Sequence, residues 1–88
     1  MKLMITILRD SDSDPVSQAL ISAGFGVTRV ATTGGVLRRG SSTLMIGLEE
    51  DKIDQAIAVI RAHTAPPVEP GVKRATVFVL NVEEFTQV

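Results

Sequence analysis

Ala31-Thr32-Thr33-Gly34-Gly35-Val36-Leu37-Arg38-Arg39-Gly40-Ser41-Ser42-Thr43 joins two apolar runs and decides how the rest of the chain is arranged. Its glycines and hydroxyl residues mark a connection, so the runs on either side read as consecutive strands of a hairpin. The same stretch has the composition of a loop that receives an anion. Gly34 and Gly35 let the backbone approach a ligand closely, while the hydroxyls, Arg38 and Arg39 supply hydrogen-bond donors. The planar fork of Arg38 suits a phosphate. No base or nucleophile pair accompanies these residues, so the chemistry on offer is binding. The plainer alternative is a glycine-rich turn whose arginines are merely solvated.

Outward from this connection the chain repeats one plan. Residues 2–8 are a β-rich apolar run, strand one. Asp14-Pro15 is expected to open a helix, because proline is tolerated in the first turn and aspartates favour the positive end of the helix dipole. Val16, Ala19, Leu20 and Ala23 form its i, i+3, i+4, i+7 stripe, and Gly24 is placed to end it in the left-handed conformation. Strand two then covers residues 25–31 and strand three residues 42–48. Glu49, Glu50 and Asp51 mark a second helix start, with Asp51 as a cap, and Ile53, Ala56, Ile57 and Ile60 repeat the stripe. The proline-rich residues 65–71 make a loop, and residues 75–80 a fourth strand.

The order β-α-β-β-α-β is that of the ferredoxin-like α+β sandwich, one domain over residues 1–88 with both helices on one face of a four-stranded antiparallel sheet. The other face has no cover of its own. Leu3, Ile5 and Ile7 alternate with Met4 and Leu8, and Val77 and Val79 with Phe78 and Leu80, so strands one and four are apolar on both sides. A face meant for water alternates with polar residues. The expectation is therefore an oligomer. At 88 residues without cysteine, the chain buries only about 60–65% of its unfolded surface alone and has no disulfide to staple it.

Composition narrows the partners. Nine basic and ten acidic residues give a net charge of −1, too little field to gather nucleic acid or an anionic membrane. With no Tyr or Trp and only three Phe there are few platforms for stacking bases. The apolar start is too short to span a membrane, so a soluble cytoplasmic protein is expected.

Other motifs resolve into structure. Asp10-Ser11-Asp12-Ser13-Asp14 resembles the start of a calcium loop, but Pro15 and Ile21 occupy the positions that need glycine and glutamate, so it reads as a helix N-terminus. His63, the sole histidine, suits the last turn of the second helix, where positive charge meets the dipole favourably. No metal site is expected. Glu49, Glu50, Asp51 and Asp54 are explained by the helix start without acid–base chemistry. Residues 82–88 read equally as a frayed tail or as a segment folded back near a cleft.

Phe25, Val27-Thr28, Ala31-Thr32-Thr33-Gly34-Gly35, Leu37-Arg38, Gly40, Thr43 and Gly47, with Gly24 beside them and Ala75-Thr76-Val77-Phe78-Val79-Leu80 near the end, resemble the PII-like cyclic di-AMP receptor proteins. The resemblance spans nearly all of residues 1–50 and 74–88. It implies a non-enzymatic signalling protein without a cofactor, a homotrimer holding an adenine nucleotide or cyclic dinucleotide in each cleft between subunits, with loops that answer to a protein target. By position, Thr28, Leu37, Gly47, Phe78 and Gln87 match the family's ligand contacts, beside Thr32, Thr33, Gly34, Gly35 and Arg38 of the connection. Gly26, Val36 and Ser41 stand where ligand-binding members carry an arginine, an aromatic and an asparagine. A lost aromatic stack is worth about 1–3 kcal/mol, and a lost charge-assisted bond about 1.5–3 kcal/mol. The family's long loop before its last strand is also shortened here, to residues 64–73.

Two other functions compete. One is a structural or interaction trimer that has lost its ligand. The other is an acylphosphatase-like phosphohydrolase on the same fold, which this chain fits poorly: residues 10–14 are acidic where that family places a glycine-rich, arginine-bearing turn.

Overall fold

In the computed structural model, which describes residues 1–30, 40–64, 75–83 and 86, the elements run β1 (Lys2–Arg9), α1 (Asp10–Ser22), β2 (Gly26–Val30), β3 (Ser41–Leu48), a 3₁₀ turn (Glu50–Lys52), α2 (Ile53–His63) and β4 (Ala75–Asn81). The sheet order is β2-β3-β1-β4 with every neighbouring pair antiparallel. Each helix therefore joins two parallel strands by passing over the one between them. This is the ferredoxin-like arrangement expected from the order of elements.

Strand periodicity divides the sheet into two faces. Met4 and Leu8 of β1, with Leu44, Ile46 and Leu48 of β3, point toward the helices. They meet Val16 and Leu20 of α1 and Ala56 and Ile60 of α2, and together these residues are the buried core. Each helix contributes a pair at i, i+4, the spacing that keeps side chains on one side of a helix. Phe25, Val27, Ile53, Ile57 and Val77 pack around the edge of this cluster.

The C-terminus of α1 closes as a Schellman motif. Gly24, at φ +96°, donates to the Ile21 carbonyl at 3.0 Å, and Phe25 to the Leu20 carbonyl at 3.0 Å. At the other end α1 departs from expectation, starting at Asp10 and carrying Pro15 in its second turn. Proline there withholds the amide that would have met the Ser11 carbonyl, and Ser11 is exposed. What holds the extra turn is mostly tertiary. The Asp10 amide donates to the Gly40 carbonyl at 2.8 Å, and the carboxylates of Asp10, Asp12 and Asp14 bond to Ser42, Arg9 and Arg29 respectively. Ahead of α2, Glu49 makes no side-chain cap to the 3₁₀ turn, and Asp51 lies inside that turn instead of capping. Lys52 makes no side-chain cap to α2 itself. His63 ends α2 as expected, its Nδ1–H donating to the Val59 carbonyl at 2.9 Å.

Thr6 is the polar exception at the centre of the helix-facing side. It is fully buried between Met4 and Leu8, and its hydroxyl has no partner among the described residues. An unmet buried hydroxyl costs about 1–3 kcal/mol. Thr6→Val, which keeps the β-branched shape, is expected to raise the urea midpoint, whereas Leu20→Ala in the same core loses about 2–5 kcal/mol. A lower midpoint for Thr6→Val would show that the hydroxyl is satisfied in solution.

Candidate functional site

The face of the sheet turned away from the helices is built in three rows, read directly from the strand register. Gly26, Gly47, Leu3 and Leu80 form the first, Thr28, Met45, Ile5 and Phe78 the second, and Val30, Thr43, Ile7 and Thr76 the third. Leu3, Ile5, Ile7 and Met45 are half-buried, while Phe78 is 51% and Leu80 49% exposed. The middle of this face is thus oily, while the β2 edge carries Gly26, Thr28 and Val30.

Thr28, Ser41, Gly47 and Phe78, expected from the sequence to contact a ligand, all lie on this face, because each falls on the same side of the sheet by its strand register. Thr28, Ser41 and Gly47 belong to β2 and β3, and Phe78 to β4 at the opposite edge. Three strand spacings separate Thr28 from Phe78, roughly 14 Å. Thr32, Thr33, Gly34, Gly35, Val36, Leu37, Arg38 and Gln87 lie outside the described residues, as do the proline-rich residues 65–71.

Gly47 stands in the first row of this face. A Cβ built there meets only the tip of the Met1 side chain, at 3.2 Å, and the residue is exposed. Beside it a shallow groove of about 240 Å³ is lined by Gly24, Phe25, Gly47, Glu49, Lys52 and Gln55. The Schellman turn at Gly24 forms one wall and the 3₁₀ turn the other. Lys52 gives the groove a cation, while Glu49 lies 3.9 Å from the N-terminal ammonium. Neither Lys52 nor Gln55 stands out in the sequence: both sit in a polar helix start that reads as solvated surface. Gly26 has an ordinary φ, and a Cβ placed on it would meet nothing within 4 Å.

Thr43 contributes a further polar group. Its side chain is buried and its hydroxyl has no partner among the described residues. No group of three or more His, Cys, Asp or Glu among the described residues is arranged to hold a metal ion, and no helix among them is long and apolar enough to cross a membrane. The arrangement offers hydroxyls, small residues and an apolar platform, the equipment of a binding surface.

Comparison with known proteins agrees with this fold. A crystal structure of a functionally unknown protein from Pediococcus pentosaceus ATCC 25745 is similar at a TM-score of 0.78, with 33% sequence identity over 99% of this chain and 96% of that one. The family model described as cyclic-di-AMP receptor matches residues 1–66, which include the first three strands, both helices and the whole glycine-rich connection. On that match the chain belongs to the cyclic-di-AMP receptor family.

Proposed function

We propose that this protein is a PII-like signalling protein, a homotrimer of one-domain chains that binds cyclic di-AMP, or a closely related adenine nucleotide, in the clefts between protomers. The observation that carries the reading is the distribution of Thr28 and Phe78: one sheet face, opposite edges. A nucleotide base cannot bridge roughly 14 Å of one sheet, but the β4 edge of one protomer set beside the β2 edge of the next brings both residues to one ligand. The oily centre around Ile5 and Met45 supplies the apolar area that such an assembly buries.

In this reading Thr28, Ser41, Gly47 and the connecting residues Thr32, Thr33, Gly34, Gly35, Val36, Leu37 and Arg38 come from one protomer, and Phe78 and Gln87 from its neighbour. Arg38 meets a phosphate. The ligand acts by binding two arrangements of the protein with different affinity, which is how it shifts their balance before a protein target. Phosphohydrolase chemistry is disfavoured by the junction after β1, where α1 begins at once with Asp10 and leaves no phosphate-binding turn.

Light scattering is expected to give about three times the 9.4 kDa chain mass, and Ile5→Glu, at the centre of the bare face, to yield folded monomers that bind nothing. Calorimetry with cyclic di-AMP should show one site per chain, weakened about tenfold or more in Arg38→Ala. A wild-type monomer at micromolar concentration, or a trimer silent in calorimetry and thermal shift, would overturn the receptor reading, the latter in favour of a structural trimer.

Gly26→Arg tests the departure from the family pattern. The position has space and no strained φ, so the variant is expected to fold normally. Restoring a charge-assisted bond of about 1.5–3 kcal/mol should tighten cyclic di-AMP binding by roughly ten- to a hundredfold.

A further inference from the structure

We infer that the groove at the end of the helix layer takes one purine ring of the ligand, with Gln55 as the residue that selects adenine over guanine and Lys52 as a cation beside it. The inference deepens the receptor reading and rests on it, because it assigns to the same ligand two residues that lie off the bare face.

The groove lies where α1 ends and the 3₁₀ turn leads into α2, next to the last residues of β3. Gly26 and Gly47 are register partners in the first row of the bare face, so neither puts a side chain at the corner where that face meets the groove. A Cβ on Gly26 would meet nothing within 4 Å, and one on Gly47 only the tip of Met1. A ligand on the bare face therefore reaches the groove round an open corner. At about 240 Å³ the groove is smaller than the roughly 300–1,000 Å³ of sites that enclose a whole drug-sized ligand. It fits one part of a dinucleotide, and Phe25 and Leu48 give that part an apolar lining.

Lys52 and Gln55 stand three residues apart across the start of α2 and so share a side. Both line the groove, both are exposed, and neither makes a hydrogen bond or ion pair among the described residues. Lys52 stays unpaired although Glu49, Glu50, Asp51 and Asp54 crowd it in sequence. The groove thus holds an uncommitted cation and an uncommitted carboxamide. A carboxamide offers an acceptor oxygen beside an N–H donor. Adenine presents the complement, its N6 amino donor next to the N7 acceptor, whereas guanine presents two acceptors, O6 and N7, at the same edge. Against guanine the oxygen of Gln55 faces another acceptor and one bond is lost. Lys52 carries no such choice, since a point charge favours the phosphate of either dinucleotide equally.

The test is calorimetry on the full chain with cyclic di-AMP and, by competition, cyclic di-GMP, for the wild type, Gln55→Ala, Gln55→Glu, Lys52→Ala and Glu50→Gln. All three positions are exposed, so the urea midpoints are expected to match the wild type. Gln55→Ala should weaken cyclic di-AMP by about two- to tenfold and leave cyclic di-GMP unchanged. Gln55→Glu should narrow the ratio further, because its carboxylate repels N7 of adenine yet accepts from the N1 and N2 donors of guanine. Lys52→Ala should weaken both ligands by the same factor, a loss that shrinks as salt rises. Glu50→Gln, in the same turn but off the groove, should leave both affinities within about twofold of the wild type. A wild type that binds, with an unchanged ratio in both Gln55 variants, overturns the selecting role. Glu50→Gln moving affinity as far as Lys52→Ala does, or Lys52→Ala moving nothing, overturns the contact at Lys52. A wild type that gives no heat with cyclic di-AMP is the separate failure of the receptor reading, and this inference falls with it.

Discussion

The antiparallel ladder between β1 and β3 is the constraint on which everything else rests. Its eight pairs, from Lys2 with Leu48 to Arg9 with Ser41, send even-numbered residues to the helices and odd-numbered ones to the bare face. A slip of one residue would exchange the two sets, exposing Met4, Leu8, Leu44 and Ile46 and turning Thr43 and Gly47 into the core. The ladder therefore sets the core and the bare face by a single choice. Because β2 and β4 attach to opposite sides of this central pair, the register also carries Thr28 and Phe78 onto one plane at its two edges.

Much of this is legible in the chain itself. Order of elements, helix stripes and the Gly24 stop all follow from local chemistry, since periodicity and a left-handed glycine need no distant partner. The uncovered face is readable too, from strands apolar on both sides. What local rules miss has a common cause. A proline belongs in a first turn and so points to a helix start at Asp14, yet contacts from Ser42, Arg9 and Arg29 hold a helix from Asp10. Ser42 and Arg29 lie 32 and 15 residues from the aspartates they meet, where no window of neighbours reveals them. Lys52 and Gln55 escape notice for the same reason: only the folded chain brings the start of α2 beside Gly47.

For the site, the sequence supplies residue types and the fold supplies their relation. A threonine, a glycine and a phenylalanine scattered over about fifty positions carry little meaning separately. Their shared plane is a relation that only the fold reveals, and the family match over residues 1–66 places the chain among cyclic-di-AMP receptors. The departures at Gly26 and Ser41 fall on the same plane, next to positions that conform. Both are changes of side chain on an unchanged sheet, so they leave the architecture as it is.

β4 closes the sheet on one side with Phe78, Val79 and Leu80 all largely accessible and its outer amides and carbonyls unmatched by any neighbouring strand among the described residues. Natural edge strands are usually blunted with lysine, proline or a bulge, and residues 75–81 contain neither of the first two. A single chain consequently carries an adhesive border along β4. Any extended segment that reaches it can pair there, so crowding and concentration bear on how long that border stays open to water.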